Sequence, residues 1–525
     1  MPLRVYNTLA RALERFEPLV PGQVRMYTCG VTVYDLCHIG HARSALVFDL
    51  IRRYLEYSGY RVTLVRNFTD VDDKIINRAR DLHISWDALA NENIAAFHRD
   101  MGALGLRPAD VEPKATDHIP EMLRIIQVLV ERGLAYAVDG DVYFAIRRFP
   151  EYGKLSHRSL DDLLAGARIE VDERKRDPLD FALWKSSRPG EPAWDSPWGP
   201  GRPGWHIECS AMAAKYLGES FDIHAGGEDL IFPHHENEIA QSEGATGKPF
   251  ARYWLHNGFV TVNGEKMSKS LGNFVTIREA LTRFSPDALR LLLLSTNYRG
   301  PLDYTEAAAA EKTKALEGVQ EFLRAADRLA GLPGDPPVDE ACGELHAEEA
   351  EFRAAMDDDF NTAKATGVLF DLVREGNRLL HATDQGRSLT LPTLVALRRV
   401  ATLLRRLGGV LGLDLRGGRL VTSTLRAVPL TRSASEAQAE LGQLLQATAM
   451  APADLEGRLV TVLQELLAHR EAARGSKAWA EADRIRHVLS AHGFRIEDTR
   501  TATHAISEFV GEQRRSPIDV TLVKA

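Results

Sequence analysis

Cysteine is scarce in this chain, with four among 525 residues: Cys29, Cys37, Cys209 and Cys342. None belongs to a CxxC pair, so the sequence encodes neither a disulfide framework nor a local metal knuckle. Any metal site must be assembled from distant segments. No apolar run reaches the roughly 18 residues of a membrane span, and the opening MPLRVYNTLARALERF contains no apolar signal core. A cytoplasmic chain with no membrane partner is expected. Neither charge sign dominates. The net charge of −8 gives no global mark of a nucleic-acid binder, although a local basic face would suffice for one. Fixed-period repeats are also missing.

What is present suits a large soluble chain. A hydrophobic content of 44% is ample for a packed core, and this length suggests roughly two to four domains. VRMYTCGVTVY (24–34) alternates and is rich in β-formers, so it reads as a strand. Leu46, Leu50, Ile51, Tyr54 and Leu55 recur at helical spacing, and Ser58-Gly59 ends that pattern. RVTLVRNF follows as a second strand. This β-α-β unit predicts a Rossmann-like, doubly wound parallel sheet in an α/β fold. Residues 84–190 read as an insertion of short helices and loops, and further strands are expected near 220–224 and 254–262. The catalytic domain is therefore placed at 1–300. A helical bundle is expected at 301–413, a linker with some helix at 414–455, and a small terminal module at 456–525.

Three stretches carry chemistry. In DLCHIGHARS, His38, Ile39, Gly40 and His41 fall where the first strand hands over to the helix. A helix N-terminus offers unpaired N–H groups and partial positive charge to phosphate. Gly40 would let a nucleotide approach the backbone, and His38 and His41 would donate to phosphate oxygens. Four letters alone are better explained by a capping histidine with no function. In NGEKMSKSLGNF (263–274), an Asn263-Gly264 turn precedes Lys266 and Lys269. Two ammonium groups on a small Ser/Gly-rich loop can gather a triphosphate.

The pair HIGH and KMSKS, in that order, resembles the signatures of class I aminoacyl-tRNA synthetases. The resemblance implies that His38, Gly40, His41, Lys266 and Lys269 hold ATP, with Mg2+, while an amino acid carboxylate attacks the α-phosphate. Pyrophosphate leaves, and a ribose hydroxyl of the tRNA 3′-adenosine then takes the aminoacyl group.

The third constellation joins Cys29, Cys209 in GRPGWHIECSAMA, and His234, His235, Glu236 and Glu238 in GGEDLIFPHHENEIAQSEG. With Pro233 at the first position of a helix, His234 shares a face with Glu238, whereas His235 aligns with Ile239. Cys29, Cys209, His234 and Glu238 would then make a tetrahedral zinc site. On spacing alone, buried free cysteines beside a charged helix start remain equally open. These segments, with NFTDVDDKI (67–75), LDFALWK (179–185) and MDDDFNTAKA (356–365), resemble the cysteinyl-tRNA synthetase family over nearly the whole chain. That resemblance implies one Zn2+ on the same four residues, with L-cysteine, ATP and tRNA(Cys) as partners of a monomer. It also places Thr69 and Trp205 on the cysteine pocket, where core packing is the other reading. His224 and Asp229, flanking the GGED loop, are open to adenosine, to the substrate amine or to a structural role. Asp70, Asp72 and Asp73 read as a capped helix start rather than a metal site.

Arg398, Arg399, Arg405 and Arg406 could form a phosphate-facing stripe on the bundle or a plain solvated face. The terminal KAWAEADRIRHVLSAHGFRIEDT resembles the family's anticodon module through Trp479, Asp483, Arg486, Gly493 and Glu497-Asp498-Thr499. The following RTATHA and tail depart from it. Two other readings exist: a ligase joining cysteine to an amino sugar (the mycothiol pathway), and a non-catalytic RNA-binding paralogue. The full C-terminal extension argues against the first, and the intact signatures argue against the second.

Overall fold

The structure is a computed structural model. It describes residues 2–160, 162, 174–267, 273–329, 346–384, 391–415, 419–424, 433–446, 452–476, 478–491, 494–498, 502–507 and 518–523. The first strands, β1 (Arg4–Asn7) and β2 (Ala12–Arg15), form a hairpin. β1 also meets a turn far along the chain. The Arg4 N–H donates to the Asp357 carbonyl at 2.8 Å, and the Asp359 N–H donates to the Arg4 carbonyl at 3.0 Å.

The expected β-α-β unit comprises β3 (Gln23–Thr28), α1 (Ile39–Tyr57) and β4 (Arg61–Arg66), with β3 and β4 parallel. The predicted stripe of α1 is its buried face: Leu46, Leu50, Ile51, Tyr54 and Leu55 are all at most 1% exposed. β3 ends at Thr28 rather than at residue 34. The cause is local, because the Asn67 side chain accepts the Gly30 N–H at 2.9 Å and draws the chain off the strand line.

The aspartate run opens α2 (Asp73–Leu82). Asp72 is its N-cap, Asp70 accepts from Thr116, and Asp73 pairs with Lys185 and Arg202. The insertion is more regular than short helices and loops. It holds α3 (Trp86–Ala103), α4 (Ile119–Glu131) and an antiparallel sheet that continues past residue 190. That sheet runs in the order β5 (Ala135–Val138), β6 (Asp141–Phe144), β7 (Phe181–Ser186) and β8 (Gly201–Pro203).

The chain then returns through α5 (Trp205–Leu217), β9 (Phe221–Gly227), α6 (Glu236–Thr246) and β10 (Ala251–Asn257). The central sheet has the order β10-β9-β3-β4, all parallel. Residues 29–30, 67–69, 227–229 and 257–258 therefore gather beyond its carboxyl edge, where open parallel sheets bind ligands. Beyond it lie β11 (Val260–Val262), β12 (Glu265–Lys266) and β13 (Leu302–Tyr304), with α7 (Ile277–Arg283) and α8 (Pro286–Leu293) between the last two strands. Asn263 and Gly264, at φ of 53° and 79°, make the two-residue turn that the strand twist prefers.

The chain divides into two units, Met1–Lys312 with Ala350–Val368 and Val410–Leu413, and Thr313–Glu349 with Leu369–Gly409 and Asp414–Ala525. Helices α9 (Glu306–Leu329), α10 (His346–Met356), α11 (Thr362–Asp384) and α12 (Leu391–Val410) follow the parallel-sheet region, as the sequence predicts. The stretch read as a linker contributes a strand, β14 (Arg419–Thr424). Later elements are α13 (Ala434–Gln446), α14 (Pro452–Gly475), α15 (Trp479–Ala491), β15 (Phe494–Asp498), β16 (Ala502–Ser507) and β17 (Ile518–Val523). Their sheet has the order β14-β17-β16-β15, with β14 parallel to β17. Among the described residues, no helix is long and apolar enough to cross a membrane.

Candidate active site

A cavity of about 520 Å³ opens along the carboxyl edge of the parallel sheet. One end is walled by His38, Gly40, His41 and Lys266, and the other by Cys29, Trp205 and Asp229.

At the first end, His38 caps α1. Its Nδ1 accepts the Gly40 N–H at 3.0 Å, and His41 Nδ1 accepts the His38 N–H at 3.4 Å. Each ring is thus left with its proton on Nε2, and the two rings stack at 3.7 Å. Burial, then the neighbouring His38, lowers the His41 pKa to about 3, so this imidazole is neutral at pH 7. A Cβ on Gly40 would stand 2.8 Å from the His38 ring. The immediate reason for glycine here is therefore the stacked histidine, ahead of any nucleotide. Lys266 closes the β11–β12 hairpin and is exposed. Lys269 lies outside the described residues.

At the second end, four donors from four elements converge: Cys29 after β3, Cys209 on α5, His234 in the turn before α6, and Glu238 on α6. They lie within 4.8 Å of one another. The Cys29 and Cys209 sulfurs are 3.7 Å apart, Cys29 Sγ is 3.4 Å from Glu238 Oε1, and His234 Nε2 is 3.0 Å from that same oxygen. Two sulfurs bound tetrahedrally at about 2.3 Å from zinc would stand about 3.8 Å apart. Donor types and spacing both fit such an ion.

The electrostatics agree with a cluster that wants a cation. Burial opposes ionisation of Cys209, but its contacts with Cys29 and His234 hold the thiol down at about 6. Burial likewise opposes the His234 imidazolium, and Glu238 with Cys209 outweighs it, raising the ring to about 10. Burial pushes up Cys29, reinforced by Cys209 and Glu238. Glu238 is driven well below the carboxylate range by His224 and His234 despite its burial.

Several neighbours were not legible in the sequence. Phe232 is extended, at φ −140° and ψ 131°, and is the one residue of 231–235 outside helical geometry, so the helical run begins at Pro233 as expected and continues into α6. His235, fully buried like Ile239, also reaches the cluster. Its Nε2 is 3.3 Å from Cys29 Sγ, and its Nδ1 is 2.8 Å from His256, which reaches Thr8 at 2.8 Å. His206 meets His234 at 2.9 Å. Cys29, His224, His235 and Glu238 form a second four-donor group that shares two members with the first. In it, His224 is bonded directly to Glu238 at 2.7 Å, so the imidazole orients that carboxylate.

Other expected residues are placed as follows. Trp205 walls the cavity and stacks on His234 at 4.3 Å. His224 is fully buried and stacked on Trp254. Thr69 is buried and donates to Glu208 at 2.7 Å. On α12, Arg405 pairs with Asp327 and Arg406 with Glu349, so half of the expected phosphate stripe is occupied by internal carboxylates. Gly493 and Thr499 lie outside the described residues.

Comparison with known proteins agrees with this construction. The family described as tRNA synthetases class I (C) catalytic domain matches residues 15–314, and the DALR domain matches 351–416. A methionyl-tRNA synthetase structure from Mycobacterium tuberculosis, in complex with methionyl-adenylate, superposes with a TM-score of 0.57 at 17% identity, covering 75% of this chain and 92% of that one. At that identity the likeness concerns the fold alone. The cysteine–tRNA ligase of Geobacter metallireducens is 51% identical over 96% of this chain and 99% of its own length. That of Trichlorobacter lovleyi is also 51% identical, over the same shares. With half the residues shared from end to end, and a class I catalytic sheet carrying a Cys/Cys/His/Glu cluster, the chain belongs to the cysteine–tRNA ligase family of class I tRNA synthetases.

Proposed function

We propose that this chain joins L-cysteine to tRNA(Cys) at the expense of ATP, through a cysteinyl-adenylate, and selects cysteine through its sulfur. The observation that carries this reading is the position of Cys29. It is a member of the four-donor cluster and a wall of the cavity that His38, His41 and Lys266 share. A zinc ion held by Cys29, Cys209, His234 and Glu238 would supply a soft coordination position that favours thiolate sulfur over a hydroxyl. An apolar pocket separates a thiol from a hydroxyl poorly, so selection at this step leaves little need for a later correction.

The chain's own groups do the rest. Trp205 covers the amino acid end. Neutral His41 and its stacked partner His38 present Nε2 donors at the start of α1, where helix N–H groups and partial charge favour phosphate. Lys266, together with Lys269, neutralises the charge that develops on leaving pyrophosphate, and Mg2+ enters with ATP. The helices of 301–413 and the module of 456–525 would bind the tRNA.

Elemental analysis of purified protein, with pyrophosphate exchange screened over all amino acids, tests this reading. One zinc per chain and exchange with cysteine but not serine are expected. Metal-free protein that still prefers cysteine would overturn the selection mechanism, and exchange with another amino acid would overturn the substrate.

A further inference from the structure

Two residues beyond His41, on α1, stands Arg43, whose side chain is fully buried. Its guanidinium donates to the Gly258, Phe259, Asn297 and Gly300 carbonyls at 3.1, 2.7, 3.4 and 2.6 Å, and to Thr296 Oγ1 at 3.2 Å. None of these five acceptors is a carboxylate, although Glu228, which accepts the Phe259 N–H at 3.1 Å, favours the charge from nearby. Burying a guanidinium is costly, and burial outweighs Glu228 and lowers this one to about 10. Loops are ordinarily held more cheaply, by backbone bonds or hydroxyls. What sets this arginine apart is where its acceptors lie.

Gly258 and Phe259 lead directly into β11, which pairs with β12 so that Thr261 faces Lys266. Residues 258–261 also wall the cavity that His38, His41 and Lys266 line. The loop at 296–300 holds the same backbone from behind, because the Gly258 N–H donates to the Tyr298 carbonyl and the Leu302 N–H to the Phe259 carbonyl. One side chain of α1 thus bonds the helix that carries HIGH to the root of the hairpin that carries Lys266.

We propose that Arg43 is a positioning residue for ATP, setting the distance between the histidine end of α1 and the Lys266 hairpin. The inference rests on the reading that this end of the cavity takes the nucleotide. Nη1 serves Gly258 and Phe259 while Nη2 serves residues 296–300, so the planar fork reaches two segments with two separate nitrogens, and an ammonium group with its donors on one nitrogen cannot span them. The cysteine end stands on α5, α6 and the Cys29 turn, none of which Arg43 touches.

The test compares Arg43→Met, Arg43→Lys and Thr296→Val in the full-length protein. Equilibrium dialysis gives the Kd for ATP, pyrophosphate exchange gives the KM for cysteine, and elemental analysis gives the metal content. Arg43→Met should weaken ATP binding by about tenfold or more, with the KM for cysteine and the metal content unchanged. Arg43→Lys should recover only part of that loss. Thr296→Val removes a single acceptor and retains the arginine, so it tests the proposal even if Arg43→Met fails to fold. A rise in the Kd for ATP of about twofold to threefold is expected there. Unaltered ATP binding in Thr296→Val and Arg43→Met, equal losses for ATP and cysteine, or full recovery in Arg43→Lys would each overturn the assignment. Wild-type protein that binds no ATP would instead overturn the reading of the site itself, and the role of Arg43 with it.

Discussion

At the Cys29 end of the cavity, side chains touch one another at 2.7–3.9 Å, and Cys209, His224, His234, His235 and Glu238 are each at most 1% exposed. At the other end, His38 and His41 are half-buried and Lys266 is exposed. On the proposed function the first is the amino acid end, held by rings and a carboxylate that bond one another, and the second is the nucleotide end, its donors placed by backbone: a capped helix, a two-residue turn and the carbonyls gathered by Arg43. A thiol and a hydroxyl differ little in size, so distinguishing them calls for rigid donors. A triphosphate is large and strongly charged, and a looser frame of cations can gather it.

Substitutions at the two ends should therefore fail in different ways. The largest effect is expected for Cys209→Ser. Bound zinc should fall to background and cysteine-dependent exchange by roughly a thousandfold, with ATP affinity nearly intact. Retained zinc, measured by elemental analysis, would erase the contrast between the ends. Lys266→Ala should slow adenylate formation by about a hundredfold and leave the KM for cysteine alone. Rapid-quench kinetics would reveal the opposite split if the lysine serves the amino acid.

Between these ends lies the support of α1. Asp49 meets Arg290 at 3.2 Å and Arg53 at 2.8 Å, and both Asp49 and Arg290 are buried. Burial works against the Asp49 carboxylate, but Arg290 and Arg53 hold its pKa below the usual range. Its contribution to stability is therefore complete above the unfolded value of about 4 and is lost as pH falls through the lower folded value. Asp49→Asn should cost roughly 3 kcal/mol at pH 7, since it removes the buried carboxylate that Arg290 and Arg53 meet. Urea midpoints of the two proteins should converge at acid pH, and a constant gap down to pH ~3 would count against this account. The smallest effect is expected for His224→Gln, about a tenfold loss of metal affinity through a misoriented Glu238. A competitive chelator titration would measure it, and an unchanged affinity would make His224 a packing residue.

Much of this arrangement was legible in the sequence, for reasons that can be named. The stripe of α1 follows from helical period, and the Asn263-Gly264 turn from its need for positive φ. His234 and Glu238 meet as their spacing suggested, on a helical run that begins at Pro233. The same period pairs His235 with the apolar Ile239, but it could not show that Cys29, from another element, stands 3.3 Å from the His235 ring. His206 and His256 were missed for a different reason. Each reaches the cluster across elements that only the parallel sheet brings together, and strand alternation does not say which buried face will hold a metal. The ion pairs of Arg405 and Arg406 on α12 could not be read from the sequence, because their counter-charges, Asp327 and Glu349, lie on other helices.

The pairing of Arg4 with residues 357 and 359 has an outcome for synthesis on the ribosome. The first strand emerges at once, yet its far partner follows about 350 residues later, or on the order of 20–70 s at ordinary translation rates. Until then the Asp357–Asp359 side of this strand is open, and a chaperone or a neighbouring nascent chain has time to reach it.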